Sequence, residues 1–324
     1  MDIDPTRARY GGFETGYESF YVKAHDPDTP RGFWIRYTVM RRRDAPPAGS
    51  LWVAMFDRNG PVALKAAEAV PNHDAPAWIA IGDATLGSTG LLGTATRDGV
   101  EAAWDLRFSS DEQPLYHLPR AWMYRAKLPR TKPISPMPLA SFDGVVRIGD
   151  HALEARGWPG MLGHNWGAEH AERWIWLHAA SFDGRSGSWL DVVLGRIKIG
   201  PATTPWIANG VLSLDGTRLR LGGIERARAT KVRERVDGAE IELPAKGARA
   251  RLVVAAPLQR SVGWRYGDPD GSEHHVINCS IAGMTVELSR DDGPAETLKV
   301  AHGATYELGM REQLHGVPLQ PWGD

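Results

Sequence analysis

The residues best suited to chemistry lie close together between positions 163 and 178. If residues 161–166 are extended, His164 and Trp166 point to one side of the strand and Asn165 to the other. Along the following segment three side chains share one face at a period of two: Trp174, Trp176 and His178. Polar groups among indole rings are typical of an apolar ligand pocket with a few orienting hydrogen bonds. We therefore predict that these residues bind substrate.

A metal site is a second interpretation of this segment, because His164, Glu169 and His170 are close in sequence. Zinc-binding helices carry two histidines four residues apart, other zinc sites carry cysteine pairs, and the segment has neither pattern. We therefore expect no metal. For His164 a structural role, with its imidazole bonded to backbone at a domain junction, stays open as an alternative.

Asp191 is the candidate proton donor. It follows Trp189 by two positions in the otherwise apolar run 188–194, so the two side chains share a face. Burial would penalise the ionised carboxylate and raise its pKa toward neutrality. The alternative is an edge-strand carboxylate that faces water or Arg196.

Arg36 and Trp34 share a face of an earlier predicted strand. Arg36 is a candidate charge partner of Asp191 or an anchor for the ligand, and Trp34 a candidate wall of the pocket. A solvated position for Arg36 is the alternative.

Charge and cysteine content exclude several classes of partner. Lys and Arg total 38 against 39 Asp and Glu, so the chain lacks the positive charge that binding a phosphate backbone requires. Cys279 is the single cysteine, which excludes an intramolecular disulfide and thiolate zinc sites. The sequence contains no run of about 18 apolar residues. We expect a cytoplasmic protein without stable membrane insertion and without nucleic acid as a partner.

Alternation and turn signals predict an antiparallel all-β protein. Between residues 33 and 39, every second side chain is apolar and shares one face. Asp-Gly between alternating apolar runs is a strong hairpin signal. Seven such dipeptides divide the chain, at 98–99, 143–144, 183–184, 215–216, 237–238, 270–271 and 292–293.

Length and an internal repeat indicate two domains. The 324 residues exceed the usual size of one domain. Trp34 precedes the pair Gly60-Pro61 by 26 positions, and Trp174 precedes Gly200-Pro201 by the same interval. We predict an N-terminal β domain over residues 1–158 and a C-terminal β domain over residues 159–324. Each would close on itself as a barrel or sandwich and so hide its edge strands.

Two stretches resemble a known family. Gly157-Trp158 followed by His164-Asn165-Trp166-Gly167 is similar to the motif at the domain junction of the hydroxyneurosporene synthase (carotenoid hydratase), tocopherol cyclase and AttH-like group. Residues 18–21 and 33–37 are similar to its opening strands. The resemblance implies two tandem lipocalin-like (calycin) antiparallel domains and an acid-assisted reaction on a hydrophobic substrate.

The resemblance also implies roles for individual residues. In the carotenoid hydratases the His and Trp of this motif act with a later Tyr-x-Asp, whose Asp is proposed to protonate an alkene. His164, Trp166 and Asp191 match those positions, whereas Trp189 replaces the Tyr and removes its hydroxyl. This departure puts hydration of a carotenoid in doubt and leaves cyclisation or simple binding open.

Together these observations predict a cofactor-independent enzyme that cyclises or hydrates an isoprenoid, polyene or polyketide-like substrate. Asp191 and His164 would be catalytic, and the indoles would stabilise a developing cation. The sequence lacks the G-x-S-x-G elbow and the Gly-rich loops of nucleotide-binding proteins. A non-catalytic carrier of a lipophilic ligand is the main alternative, and an assembly protein without a pocket is a third.

Overall fold

The computed structural model describes residues 2–68, 71, 77–183, 185–313 and 315–322. Its regular elements are β-strands and four short 3₁₀ helices, at Tyr10–Gly12, Ala121–Tyr124, Ile224–Ala229 and Leu258–Arg260. None of the described helices has the length and hydropathy that a membrane-spanning helix needs. The all-β prediction is confirmed.

Sheet A is an antiparallel sheet formed by the first eleven strands in the order β4-β3-β2-β1-β11-β10-β8-β7-β6-β5, with β9 paired to β10. It curves around its own apolar core, in which Phe20, Ile35, Val53 and Phe142 are buried. Its strands are β1 (Gly16–His25), β2 (Gly32–Arg41), β3 (Ala48–Asp57), β4 (Gly60–Glu68), β5 (Ile79–Ile81), β6 (Ala84–Leu86), β7 (Gly90–Arg97), β8 (Val100–Ser109), β9 (Leu115–Tyr116), β10 (Thr131–Ile148) and β11 (His151–Gly167).

The second sheet is a closed barrel of eight antiparallel strands in the order β17-β16-β13-β12-β23-β22-β20-β19, with β18 and β21 paired outside this path. Pairing of Leu221 with Ala245 joins β17 to β19 and closes it. The remaining strands are β12 (Arg173–Phe182), β13 (Arg185–Arg196), β14 (Lys198–Ile199), β15 (Ala202–Thr203), β16 (Ile207–Leu214), β17 (Thr217–Gly222), β18 (Lys231–Arg235), β19 (Gly238–Ala245), β20 (Ala248–Ala255), β21 (Val262–Gly267), β22 (Glu273–Arg290) and β23 (Glu296–Met310).

Two lipocalin-like halves therefore follow each other along the chain. Strand β11 extends across residues 158 and 159, where the sequence places a domain boundary, and pairs with β1 and β10 of sheet A up to Gly167. Trp34 lies near the start of β2 and Trp174 near the start of β12, so the repeated segments begin equivalent hairpins in the two halves.

Most Asp-Gly dipeptides lie where one strand turns into the next. Asp98 and Asp215 both have positive φ, at 52° and 50°, and so do the glycines that follow them, which is the backbone of a tight hairpin turn. The dipeptides at 237–238, 270–271 and 292–293 also join adjacent strands. Asp143-Gly144 is an exception, because it forms a bulge inside β10, and Gly184 lies outside the described residues.

Gly160 tests how closely the strands of sheet A approach each other. A Cβ atom there would lie 2.1 Å from the carbonyl oxygen of Lys23 and 2.8 Å from the Cβ of Ala24. We expect Gly160→Ala to lower the free energy of unfolding by about 1–3 kcal/mol, because backbone cannot move aside as a flexible side chain can. Gly87 has open space at the same position. Gly87→Ala should therefore change it by less than about 0.5 kcal/mol in the same urea titration. Equal stability of the two variants would contradict this packing.

Candidate active site

A cavity of about 430 Å³ lies between sheet A and the outer wall of the barrel. On β1, alternation separates a residue that faces the cavity from those in the core: Tyr21 lines the cavity, whereas its neighbours Phe20 and Val22 are buried in the core of sheet A. Six aromatic side chains from both halves form much of its wall: Tyr17, Tyr21, Trp34, Trp174, Trp176 and Tyr266. The two halves therefore build one site together.

A histidine–aspartate pair provides this cavity with a group that can exchange protons. His170 lines the cavity from the linker between β11 and β12, and Asp268 follows β21. The backbone N–H and the ring Nδ1 of His170 lie 2.9 and 2.8 Å from Oδ1 of Asp268. The ring Nε2 is buried and has no hydrogen-bond partner among the described residues. The two hydrogen bonds to Asp268 therefore fix the orientation of the imidazole.

Ring stacking holds the imidazole in place. His170 stacks on Tyr17, with 4.1 Å between ring centroids and 15° between planes, and lies 5.3 Å from the ring of Trp174. Burial raises the pKa of Asp268, but hydrogen bonds and the charge of His170 outweigh it and keep this pKa below its usual value. An ionised Asp268 can accept both hydrogen bonds from His170.

The same region contains the one group of potential metal ligands found among the described residues. Donor atoms of His170, Asp268 and His274 lie within 4.8 Å of one another. Arg311 Nη2 lies 3.7 Å from Oδ2 of Asp268, so a cation already neutralises this carboxylate. The geometry fits a hydrogen-bonded pair better than a divalent cation, and the absence of a metal stays a prediction.

Glu307 of β23 is a second acidic group in the cavity wall and is 8% exposed. Its carboxylate accepts hydrogen bonds from three neutral donors: Trp174 Nε1 at 2.9 Å, Tyr266 Oη at 3.3 Å and Asn278 Nδ2 at 3.1 Å. Trp174 and Tyr266 also flank His170. A carboxylate and an imidazole of the wall thus contact the same two rings.

Five of the residues predicted to bind substrate line this cavity: Trp34, Arg36, Asn165, Trp174 and Trp176. The side-chain oxygen of Asn165 is buried without a hydrogen-bond partner among the described residues. The guanidinium of Arg36 donates two hydrogen bonds to Ser19 Oγ and lies 4.1 Å from the ring centroid of Tyr266. Arg36 is therefore buried in the cavity wall, which contradicts the solvated alternative.

Asp191 is buried behind the cavity wall. Its carboxylate accepts hydrogen bonds from Ser135 Oγ at 2.5 Å and from Trp176 Nε1 at 3.1 Å, and His117 Nε2 lies 3.5 Å away. The sequence predicts a raised pKa here, and this prediction is wrong. Burial does raise the pKa of Asp191, but His117 and the other neighbours outweigh it and hold it below the usual value. An ionised Asp191 is unsuited to donating a proton and instead holds the Trp176 indole.

His178 and Trp189 are also buried outside the cavity. His178 Nε2 donates to the carbonyl of Pro138 at 2.9 Å, and Trp189 packs with Leu115 and Val211. Nearby, burial lowers the pKa of Lys23 to about 7, and its ammonium donates to the carbonyl of Gly303 at 2.9 Å.

His164 and Trp166 lie on the opposite side of β11 from Asn165, as the alternation predicts, but this side faces away from the cavity. His164 Nε2 and Nδ1 lie 2.7 Å from Glu18 Oε1 and from the carbonyl of Pro5. Burial lowers the pKa of His164, although Glu18 and the hydrogen bond to the Pro5 carbonyl oppose this effect. Arg9 stacks on Trp166 at 3.8 Å. These residues anchor the N-terminal segment, and His164 and Asp191 do not share a cavity.

The groups that carry the most promising chemistry come from distant parts of the chain. His170 is visible in the sequence cluster, but its partner Asp268 lies in a Gly- and Pro-rich turn that resembles an ordinary loop. Glu307 does stand out weakly, because it follows Tyr306 in a strand whose neighbouring residues are apolar. Only the pairing of β12 with β23 brings Glu307 to Trp174.

Comparison with known proteins supports the fold. The chain is similar to a protein described as an AttH from Nitrosomonas europaea, with 14% identity, a TM-score of 0.53 and 94% of each chain covered. It is also similar to kievitone hydratase from Nectria haematococca, with 9% identity, a TM-score of 0.51 and coverage of 90% and 88%. At these identities the likeness concerns the fold alone.

Two sequence relatives leave the activity open. They are uncharacterized proteins from two strains of Mycobacterium tuberculosis, each 28% identical over 305 residues, or 88% of this chain and 86% of the relative. No protein-family model matches the chain. Membership among the carotenoid hydratases or tocopherol cyclases stays a prediction.

The buried histidines behind the cavity predict a pH-dependent stability. Burial lowers the pKa of His178 from 6.5 to about 3, helped by the charge of Lys23 and opposed by Asp191. An unfolded chain protonates this histidine near pH 6.5 while the folded protein keeps it neutral, so acid favours unfolding. We expect His178→Gln to reduce the slope of unfolding free energy against pH by about 1.4 kcal/mol per pH unit between about pH 6 and pH 4. Urea titrations measure this slope, and the same change in the exposed control His151→Gln would contradict the assignment.

Proposed function

We propose that the protein is a cofactor-independent enzyme that binds a hydrophobic isoprenoid, polyene or polyketide-like molecule in the interface cavity and promotes its hydration or cyclisation by proton transfer. The observation that carries this proposal is His170, whose Nδ1 is held by Asp268 and whose buried Nε2 has no partner among the described residues. A directed imidazole in an apolar cleft is typical of general acid–base catalysis.

The size and lining of the cavity support this substrate class. Its volume of about 430 Å³ falls within the usual range for small-molecule sites, about 300–1,000 Å³. Aromatic faces exclude water and can stabilise a positive charge that develops on the substrate. The few polar groups can fix its orientation without binding its whole surface.

The proton balance assigns a role to each group. In hydration, the imidazolium of His170 donates a proton to one alkene carbon, a water oxygen bonds to the other, and the proton that this water loses returns to Nε2. In cyclisation, the proton added at one carbon is lost from another after the new carbon–carbon bond forms. Asp268 fixes the orientation of the imidazole, and the carboxylate of Glu307 can stabilise the cationic intermediate.

Asp191 and His164 are positioning residues in this proposal. Asp191 holds the indole of Trp176 against the cavity, and His164 secures the N-terminal segment through Glu18. The family resemblance implies catalytic roles for Asp191 and His164. In this proposal His170 transfers the proton instead, and Asp268 orients its ring.

Substitution of the imidazole tests the enzymatic role. Incubation with a panel of prenylated phenols and polyenes, followed by mass spectrometry, distinguishes hydration, which adds the mass of one water, from cyclisation, which leaves the mass unchanged. We expect His170→Gln to lower turnover by about 10²–10⁴-fold, because the amide cannot exchange the proton. Binding of the apolar dye N-phenyl-1-naphthylamine should persist.

Asp191→Asn provides the comparison, since it removes the acid that the family resemblance implies. Loss of turnover in Asp191→Asn together with full turnover in His170→Gln would contradict the assignment to His170. Dye binding without turnover of any compound in the wild-type protein would favour the non-catalytic carrier.

Filling the cavity tests whether ligands bind there. Val193 lines the cavity, and a larger ring at this position would occupy its space. We expect Val193→Phe to weaken N-phenyl-1-naphthylamine binding by about tenfold or more, measured by fluorescence titration. Val100→Phe adds the same ring at an exposed site on β8 and should leave the affinity unchanged. Equal affinities for all three proteins would place the ligand elsewhere.

A further inference from the structure

Exposed apolar side chains surround the mouth of the cavity. Leu128, Ile199 and Ile224 line the cavity and are also 47%, 57% and 64% exposed, so they lie where it opens to solvent. Trp122 is 63% exposed and precedes Met123, another lining residue. These four residues are called the rim below.

The rim accounts for most of the large apolar side chains that the described part of the chain exposes. Only two others are comparably exposed, Leu92 on β7 and Val100 on β8. Single exposed apolar residues are ordinary on a protein surface, whereas several around one opening indicate a binding surface.

The rim residues sit on three separate projections. Trp122 and Leu128 belong to the segment before β10, Ile199 to the small β14–β15 hairpin, and Ile224 to the 3₁₀ helix at 224–229. Each projection presents one or two apolar tips. Scattered tips suit a fluid surface better than a partner protein, which needs a continuous complementary face.

Positive charge is concentrated on the same projections. Residues 120–132 contain five cations and no carboxylate, and all of these cations except Lys132 are exposed. Residues 196–204 contain Arg196 and Lys198 and again no carboxylate. Three carboxylates nearby are ion-paired, one of them with a cation of residues 120–132: Glu169 with Arg130, Glu172 with Arg311 and Glu225 with Arg226. The whole chain has a net charge of −1, so this end of the molecule is positive against a neutral average.

We propose that the rim docks onto the surface of an anionic phospholipid bilayer and places the mouth of the cavity against the lipid. Trp and aliphatic tips enter the interface between headgroups and acyl chains, and the surrounding cations bind the headgroup phosphates. That a substrate enters by this route rests on the proposed function. The docking itself does not, because it follows from the rim and its charges.

Vesicle binding tests the docking without any substrate. The wild-type protein should cosediment with vesicles of phosphatidylglycerol and phosphatidylcholine mixed in equal parts. Its affinity for pure phosphatidylcholine vesicles should be lower by a factor of about ten or more. Added salt should weaken the first interaction, because it screens the cations.

A combined variant, Trp122→Ser with Ile199→Ser and Ile224→Ser, removes one apolar tip from each projection. We expect its binding to the anionic vesicles to fall by about tenfold or more. The matched control combines Leu92→Ser with Val100→Ser, which removes exposed apolar side chains that do not line the cavity, and should bind as the wild type does.

Three results would overturn the docking: no binding of the wild type to anionic vesicles, undiminished binding of the rim variant, or an equal loss in the control. Since no substrate is present, absence of catalysis would disprove the proposed function and leave the docking measurable. Conversely, if the protein converts dissolved compounds but does not bind vesicles, the docking is disproved and the proposed function is retained.

Discussion

The carboxylate of Asp268 is the contact on which the site depends. It accepts two hydrogen bonds from one residue, His170, and so joins the linker between the two halves to the turn after β21. An ionised carboxylate this deeply buried is stable only when donors surround it. The same bonds that satisfy Asp268 therefore hold the linker in place and fix the orientation of the His170 ring.

The interface between the halves is polar behind the cavity as well as within it. Lys23, His178 and Asp191 are all fully buried there, and each makes a hydrogen bond to the opposite half of the chain. Apolar side chains would give a more stable interface of the same volume. Bonds with fixed direction specify one relative position of sheet A and the barrel, and the cavity wall requires that position.

Local sequence patterns predict much of the fold and part of the site. Alternation separates Asn165 from His164 and aligns Trp174 with Trp176, and the structure shows both arrangements. Alternation cannot show which face of a strand borders a cavity. The sequence pattern therefore predicts His164 in the pocket, although it lies on the face of β11 that points away from the cavity. The pKa of Asp191 depends on His117 and Ser135, which come from the other half of the chain. Burial alone would raise this pKa, which is the opposite of the net shift.

The position of β23 in the barrel governs the order in which the molecule can be completed. This strand lies between β12 and β22, and it carries Glu307. Until residues up to 310 have been synthesised and have left the ribosome, β12 and β22 lack the strand that joins them, and the barrel stays open. Sheet A, whose last strand ends at Gly167, can fold much earlier. A chain truncated near its C-terminus would thus retain the first half and lose the second wall of the site.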